Sequence, residues 1–366
     1  MTFHTPSFAP QSLRIPFLVV MMLFSTVVLR ANPEAAAGEE HGKFDAGKMI
    51  LEHIMDAHDW HLWGDHHHPV SIPLPIILKT DKGWDMFMSS AFHHGTQVVN
   101  GHYTYKLNHQ HIEIVDASGN TDKASTSRMW DLSITKNAAS ILISVVILLL
   151  VFIPIARRYR AAPNQAPKGL QSLLEPIIYF IRENIAIPNI GEKKHARYMP
   201  FLLTVFFFIL INNLMGLIPF FPGGANVTGN ISIPFTLAGI VLVVILTTAN
   251  KHFWHHMLAM PGVPAWVLVI LTPIEILGFF IRPFVLMMRL FANITAGHIV
   301  ILSFISMIFI FGAGSKTAGY GISVFSMSLV VFMSVLELLV AFLQAYVFTL
   351  LTAIYFGSAV EEPHHH

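Results

Sequence analysis

Met287-Met288-Arg289-Leu290-Phe291-Ala292-Asn293-Ile294-Thr295-Ala296-Gly297-His298 lies inside an apolar run that covers residues 263–312. About 20 residues at 1.5 Å each cross the hydrocarbon core of a bilayer, so this run is too long for one upright helix. It is either two spans or one long, strongly tilted helix softened by Pro273 and Pro283. Arg289 stands in the middle of it. A guanidinium at that depth costs about 2.5 to 3.5 kcal/mol on insertion scales and cannot shed its charge, so it normally faces a partner or a wet cavity. It is therefore the first candidate for function.

The rest of the composition agrees with a membrane-embedded chain. Of 366 residues 54% are hydrophobic and 12% charged, with mean hydropathy +0.60, which excludes an ordinary soluble domain. Between Tyr198 and Val360 the charged side chains are Lys251, Glu275, Arg282, Arg289, Lys316 and Glu337. A net charge of +1 gives no reason to expect nucleic acid. Without cysteine there is no disulfide framework, thiolate metal site or thiol nucleophile.

Moving outward towards the N-terminus, residues 1–37 place Arg14, a charge-free apolar run over 15–29 and small residues at Ala35-Ala36-Ala37 in the order of a secretory signal peptide. The competing reading is a first transmembrane helix, for which the run is short. Residues 38–130 are polar and irregular, with twelve histidines between His41 and His111, alternation over 70–78 and a strand-like stretch over 102–115. They read as a small extracytoplasmic segment. His58, His61, His66, His67, His68, His93 and His94 have no recognisable ligand spacing, so a solvated His-rich face is preferred to a metal site.

Spans are expected over residues 134–155, 200–220 and 231–248, followed by the long run and a last span over 322–356, about five in all. Arg157, Arg158, Arg160, Lys193, Lys194 and Arg197 mark the cytoplasmic side by the positive-inside rule, which puts the His-rich segment outside. An amphipathic stretch over 169–184, with Leu170, Leu173, Leu174, Ile177, Ile178 and Ile181, suits the membrane surface. A Gly-rich loop is expected over 312–321. The tail, residues 361–366, ends in three histidines, native or added, that bear on none of these readings.

On a helix, Glu275, Arg282 and Arg289 recur every seven residues and fall within about 40° of one face, which Asn293 joins one turn later. His298 lies about 13 Å beyond Arg289 and Glu275 about 21 Å before it. Glu337 and Gln344 repeat the step of seven on the last span. If the two helices are antiparallel neighbours, Arg289 with Gln344 and His298 with Glu337 have index sums of 633 and 635, so both pairs come level together. An amide cannot neutralise the arginine, whereas a histidine and a carboxylate can share a proton. Blander roles are open to the others: Arg282 suits snorkelling to the cytoplasmic interface, Glu275 pairing with it, and Asn293 and Gln344 interhelical bonding.

Arg289-Leu290-Phe291-Ala292-Asn293 with Ala296-Gly297-His298, then Leu343-Gln344-Ala345-Tyr346-Val347-Phe348, resembles subunit a of the F-type ATP synthase membrane sector. Asn213-Leu214-Met215-Gly216-Leu217-Ile218-Pro219 is a third matching motif, and the resemblance covers about 130–357. It implies an all-α polytopic membrane protein of the bacterial inner membrane, with two long tilted C-terminal helices and its C-terminus in the cytoplasm. By the same resemblance it is a non-catalytic, proton-translocating stator subunit with two offset half-channels. Arg289 would face the carboxylate of the passing c subunit. His298, Glu337, Gln344 and Asn213 would line the periplasmic path, and Glu275 and Asn293 the cytoplasmic one. Implied partners are the c-subunit ring, the b-subunit peripheral stalk, the remainder of the ATP synthase, the lipid bilayer and the translocated proton, with no cofactor, metal or nucleic acid.

Two departures stand out: many bacterial members exchange the types found here at His298 and Glu337, and some carry an acid in place of Gly216. No Gly-rich Lys-Ser/Thr phosphate loop is present, so nucleotide chemistry belongs to other subunits. The reading from another class is a secondary ion-coupled transporter with Arg289 as counter-ion. It calls for an internal repeat, and the arginine motif has no second copy. A haem protein would need several facing histidines in the membrane, where His298 is alone.

Overall fold

A computed structural model describes residues 46–63, 70–95, 98–108, 110–116, 118–161, 165–218, 221–258 and 263–361. The signal-peptide expectation for 1–37 lies outside them, as do His66, His67 and His68.

The N-terminal segment is built mainly of strands. After α1 (Ala46–Ile54), β1 (Asp59–Trp63) pairs with β2 (Val70–Pro73), and β3 (Pro75–Thr80) pairs with β4 (Gly83–Met88). A 3₁₀ turn at Ser89–Gly95 leads to β5 (Val99–Asn100), β6 (Thr104–Asn108) and β7 (His111–Val115), a third antiparallel sheet. The expected strand over 102–115 is thus a hairpin. Alternation does the work here: Ile76, Leu78, Tyr105, Ile112 and Ile114 point inward with Phe92 to form one small core. Each such burial contributes about 1.5–3 kcal/mol. Then α2 (Lys123–Arg128), capped by the Asp122 carboxylate, leads to β8 (Trp130–Asp131) on the edge of β3. The same edge continues through Leu132 and Ile134, whose N–H groups donate to Ile77 and Pro75, straight into the first long helix.

That helix, α3 (Lys136–Ala161), is followed by α4 (Leu170–Ile181), which passes through a π turn at Arg182–Ala186 into α5 (Ile187–Ile190). Of the amphipathic face foreseen here, Leu174, Ile177, Ile178 and Ile181 pack on the core, while Leu170 and Leu173 stay exposed. Next come α6 (His195–Leu217), α7 (Ser232–Thr248), α8 (Lys251–Leu258), α9 (Ala265–Gly314) and α10 (Lys316–Val360). Among the described residues four helices, α3, α6, α9 and α10, are long and apolar enough to cross a membrane, and α7 is a shorter apolar helix of 17 residues.

The long apolar run is one helix of 50 residues, about 75 Å, with Pro273 and Pro283 inside it. It cannot stand upright in a hydrocarbon core of about 30 Å. The loop foreseen over 312–321 is reduced to Ser315, because both flanks are helical. This works through glycine: a Cβ on Gly319 would stand 2.8 Å from the Gly312 Cα, so the two helices cross with their backbones almost touching. Further down, Ala341, Ala345 and Ala353 are fully buried, the small-residue packing by which membrane helices approach one another.

Candidate functional site

The inner face of α9, with Leu286, Met287, Leu290 and Ile294, is buried against the other helices. Arg289, Ala292, Asn293 and Ala296 are on the opposite face and exposed. Around them the exposed surface of the hairpin is apolar: Ile281, Phe284 and Val285 on α9, Phe342 and Leu343 on α10. A permanent cation therefore stands on an outward apolar surface with small residues beside it. Towards the start of α9, Arg282 donates through Nη2 to Glu275 Oε1 at 3.3 Å, so two long side chains bridge the seven-residue step. A cleft next to that pair is lined by Phe279, Arg282, Tyr355 and Ser358.

Two turns beyond Arg289 lies a polar cluster on the inner side. Glu337, on α10, is only 7% exposed, and its Oε1 is buried with no hydrogen-bond partner among the described residues. The carboxylate abuts Gly297, where any Cβ would collide with it. The facing pair has an index sum of 634, between the two values read from sequence. His298 turns its ring towards α6: Nε2 is 3.8 Å from where a Cβ on Gly216 would stand. On α6, buried Asn213 donates through Nδ2 to the carbonyl of Ala341 at 3.3 Å, one turn from Glu337. Its Oδ1 accepts the Thr228 hydroxyl at 2.7 Å. Gln344 is buried one turn further along α10. Asn213, His298 and Glu337 are thus drawn together, while Asn293 stays with Arg289 on the outer face and Glu275 with Arg282.

Residues 138–357 match the family model described as ATP synthase A chain, which is more than half of the chain. The chain belongs to the ATP synthase A chain family. An ATP synthase subunit a from Chloroherpeton thalassium is 43% identical over 242 residues, 64% of this chain and 69% of its own length. An ATP synthase subunit a 2 from Chlorobium luteolum is 35% identical over 353 residues, 94% of this chain and 93% of its own. The subunit a of Myxococcus xanthus is 38% identical over 242 residues, 64% of this chain and 76% of its own. As a member of the ATP synthase A chain family, it is a multi-pass protein of the F-type ATP synthase membrane sector. Residues 49–132 match a second model, described as a domain of unknown function, DUF8433.

Outside the family region the N-terminal domain has its own polar network. Burial pushes the Asp85 carboxyl up, but hydrogen bonds from the Tyr105 hydroxyl and from the ring and backbone of His102 outweigh it and hold the group below the usual carboxylate range. Asp131 behaves alike: burial raises it, and the His58 ring, with Nε2 3.4 Å away, together with hydrogen bonding from Ser133 brings it below. Among the described residues no three His, Asp or Glu side chains come together as a metal site. Asn226 and Thr228 lie between the spans expected over 200–220 and 231–248, and neither was singled out from the sequence. The run Asn226-Val227-Thr228-Gly229-Asn230 was the available signal, since so polar a stretch needs partners if it is buried.

Proposed function

We propose that this chain is the proton-translocating stator subunit of the ATP synthase, with two offset half-channels that meet a rotating c-subunit ring at Arg289. The observation that carries the reading is the exposure of Arg289 on an apolar face. A charge left there in lipid costs about 2.5–3.5 kcal/mol, a cost removed when a carboxylate on a partner passes in front of it. The guanidinium favours the ionised form of that carboxylate, so it promotes proton release and blocks direct transfer from one half-channel to the other. Ala292 and Ala296 leave room for close approach.

In this reading Asn213, His298, Glu337 and Gln344 serve the periplasmic half-channel, and Glu275 and Asn293 the cytoplasmic one. Arg157, Arg158 and Arg160 close α3, and Lys194 Nζ donates to the carbonyl of Val360 at 2.7 Å, which puts a basic cluster and the C-terminal end of α10 on one side. The positive-inside rule makes that side cytoplasmic, in the bacterial inner membrane, and the N-terminal domain periplasmic. The division proposed is a leader over 1–37, a periplasmic domain over 38–130, the membrane part over 131–360 and a short tail. The b-subunit stalk would hold it against rotation. Each proton crossing 100 mV delivers about 2.3 kcal/mol, so several are summed by the ring for one ATP made on other subunits. A secondary transporter would enclose its counter-ion between helices, whereas Arg289 is on the outside of this chain.

ATP-driven acidification of inverted membrane vesicles tests the reading, with assembly followed by co-purification. Arg289→Ala should abolish acidification while the complex still assembles. Acidification that persists in assembled Arg289→Ala complexes would remove Arg289 from the coupling step.

A further inference from the structure

We propose that the N-terminal domain is a positioning element of the periplasmic half-channel: Trp60 clamps the loop at residues 221–231, and through Thr228 that loop holds Asn213 beside Glu337. The inference rests on the proton-path reading above and gives the extension a part in it.

The loop has neither helix nor strand of its own, yet its middle is buried. Ala225 and Val227 are packed with Trp60 in one apolar cluster. Asn226 and Thr228, the alternate residues, are buried polar groups, Thr228 at 2% exposure. Thr228 is the one that reaches the site, through its 2.7 Å bond to Asn213, which in turn bonds Ala341 a turn from Glu337. One side of the loop is therefore held by the N-terminal domain and the other side holds the polar cluster.

Trp60 is built for that hold. It is 3% exposed, its indole N–H donates to the carbonyl of Gly223 at 3.2 Å, and its ring meets Phe221 edge-on at 5.2 Å. The strand that carries it is paired, Trp60 opposite Ile72. The domain is also tied to α3: the carbonyl of Ala57 accepts from the N–H of Lys136 at 2.8 Å, and Asp56 Oδ1 accepts from the N–H of Asn137 at 3.0 Å. Anchored at α3 and at the loop, the domain cannot drift without moving Thr228. A threonine hydroxyl bonded to Asn213 Oδ1 fixes which way the amide points, and so presents its Nδ2 to α10. Trp60 is not one of the proton-path residues and acts only by position.

The test uses the whole complex in proteoliposomes, with passive proton flow through the membrane sector measured against pH after the catalytic sector is stripped off. Trp60→Ala and Thr228→Val should each slow flow roughly tenfold and displace its pH profile in the same direction, because both release Asn213 near Glu337 and His298. The double variant should be no slower than the slower single one, and Trp60→Phe, which keeps a ring but loses the N–H, should fall between. Wild-type flow in assembled Trp60→Ala, or effects that multiply in the double variant, would overturn the clamp. If Trp60→Ala does not assemble, Trp60→Phe decides by the same criteria. Arg289→Ala measured alongside by ATP-driven acidification, before the catalytic sector is removed, separates the two ideas: retained coupling there sinks the half-channel reading, whereas a silent Trp60 with an essential Arg289 sinks only the clamp.

Discussion

Gly297 shows how narrowly the polar cluster is dimensioned. The Glu337 carboxylate occupies the space where a side chain would start, so even one methyl must push the carboxylate or the helix aside. Overpacking of this kind costs about 1–3 kcal/mol. Gly297→Ala should leave the complex assembled but cut proton flow by at least tenfold, read in the vesicle acidification assay, while Ala296→Gly on the outer face should leave the cluster unaltered. Arg289 and Glu337 were legible in the sequence because a charge in an apolar run is conspicuous. Thr228 was not, because a hydroxyl in a loop attracts no attention until its burial is known.

At the scale of elements, the hairpin of α9 and α10 sets the register on which the cluster depends. The periodicity of seven and the index sums could be read from sequence, since helix geometry fixes both. The turn could not: glycines over 312–321 suggested a loop, whereas they serve a crossing of two helices with a single linking residue. Gly319→Val should force the Gly312 and Gly319 backbones apart and misalign Gly297 with Glu337. The expected result is a drop in assembled complex, seen by co-purification, that Gly321→Val, with open space around its Cα, does not produce. Propensity also misleads in the long helix, which continues through Pro273 and Pro283 without a break.

The molecule as a whole joins a β domain to a helical membrane part, and the two respond differently to acid. Asp85 and Asp131 both have folded values below their ordinary range. Their contribution to stability is therefore complete above the unfolded carboxylate value of about 3.9 and is lost as pH falls through the lower folded values. Hydrogen exchange of the whole subunit between pH 5 and pH 3 should show the sheet of β5, β6 and β7 loosening while α9 and α10 stay protected. Tyr105→Phe removes one of the bonds that hold Asp85 down. It should lower domain stability at neutral pH by about 1–2 kcal/mol and flatten its decline in acid. The domain's existence was legible from alternation, but its seat was not, because Trp60 and Gly223 are 163 residues apart in the chain.

That separation also has a meaning in time. A ribosome adding about 5–20 residues per second finishes Gly223 roughly 8 to 33 s after Trp60. For the later part of that interval, once Asp131 has been made, the chain of the domain is complete but the surface made by Trp60, Leu62 and Ile72 still lacks Ala225 and Val227. Completion of the second helical crossing is the event that closes it, so this indole serves as a record, legible to any chaperone or protease on that side, of whether the membrane part has been threaded correctly.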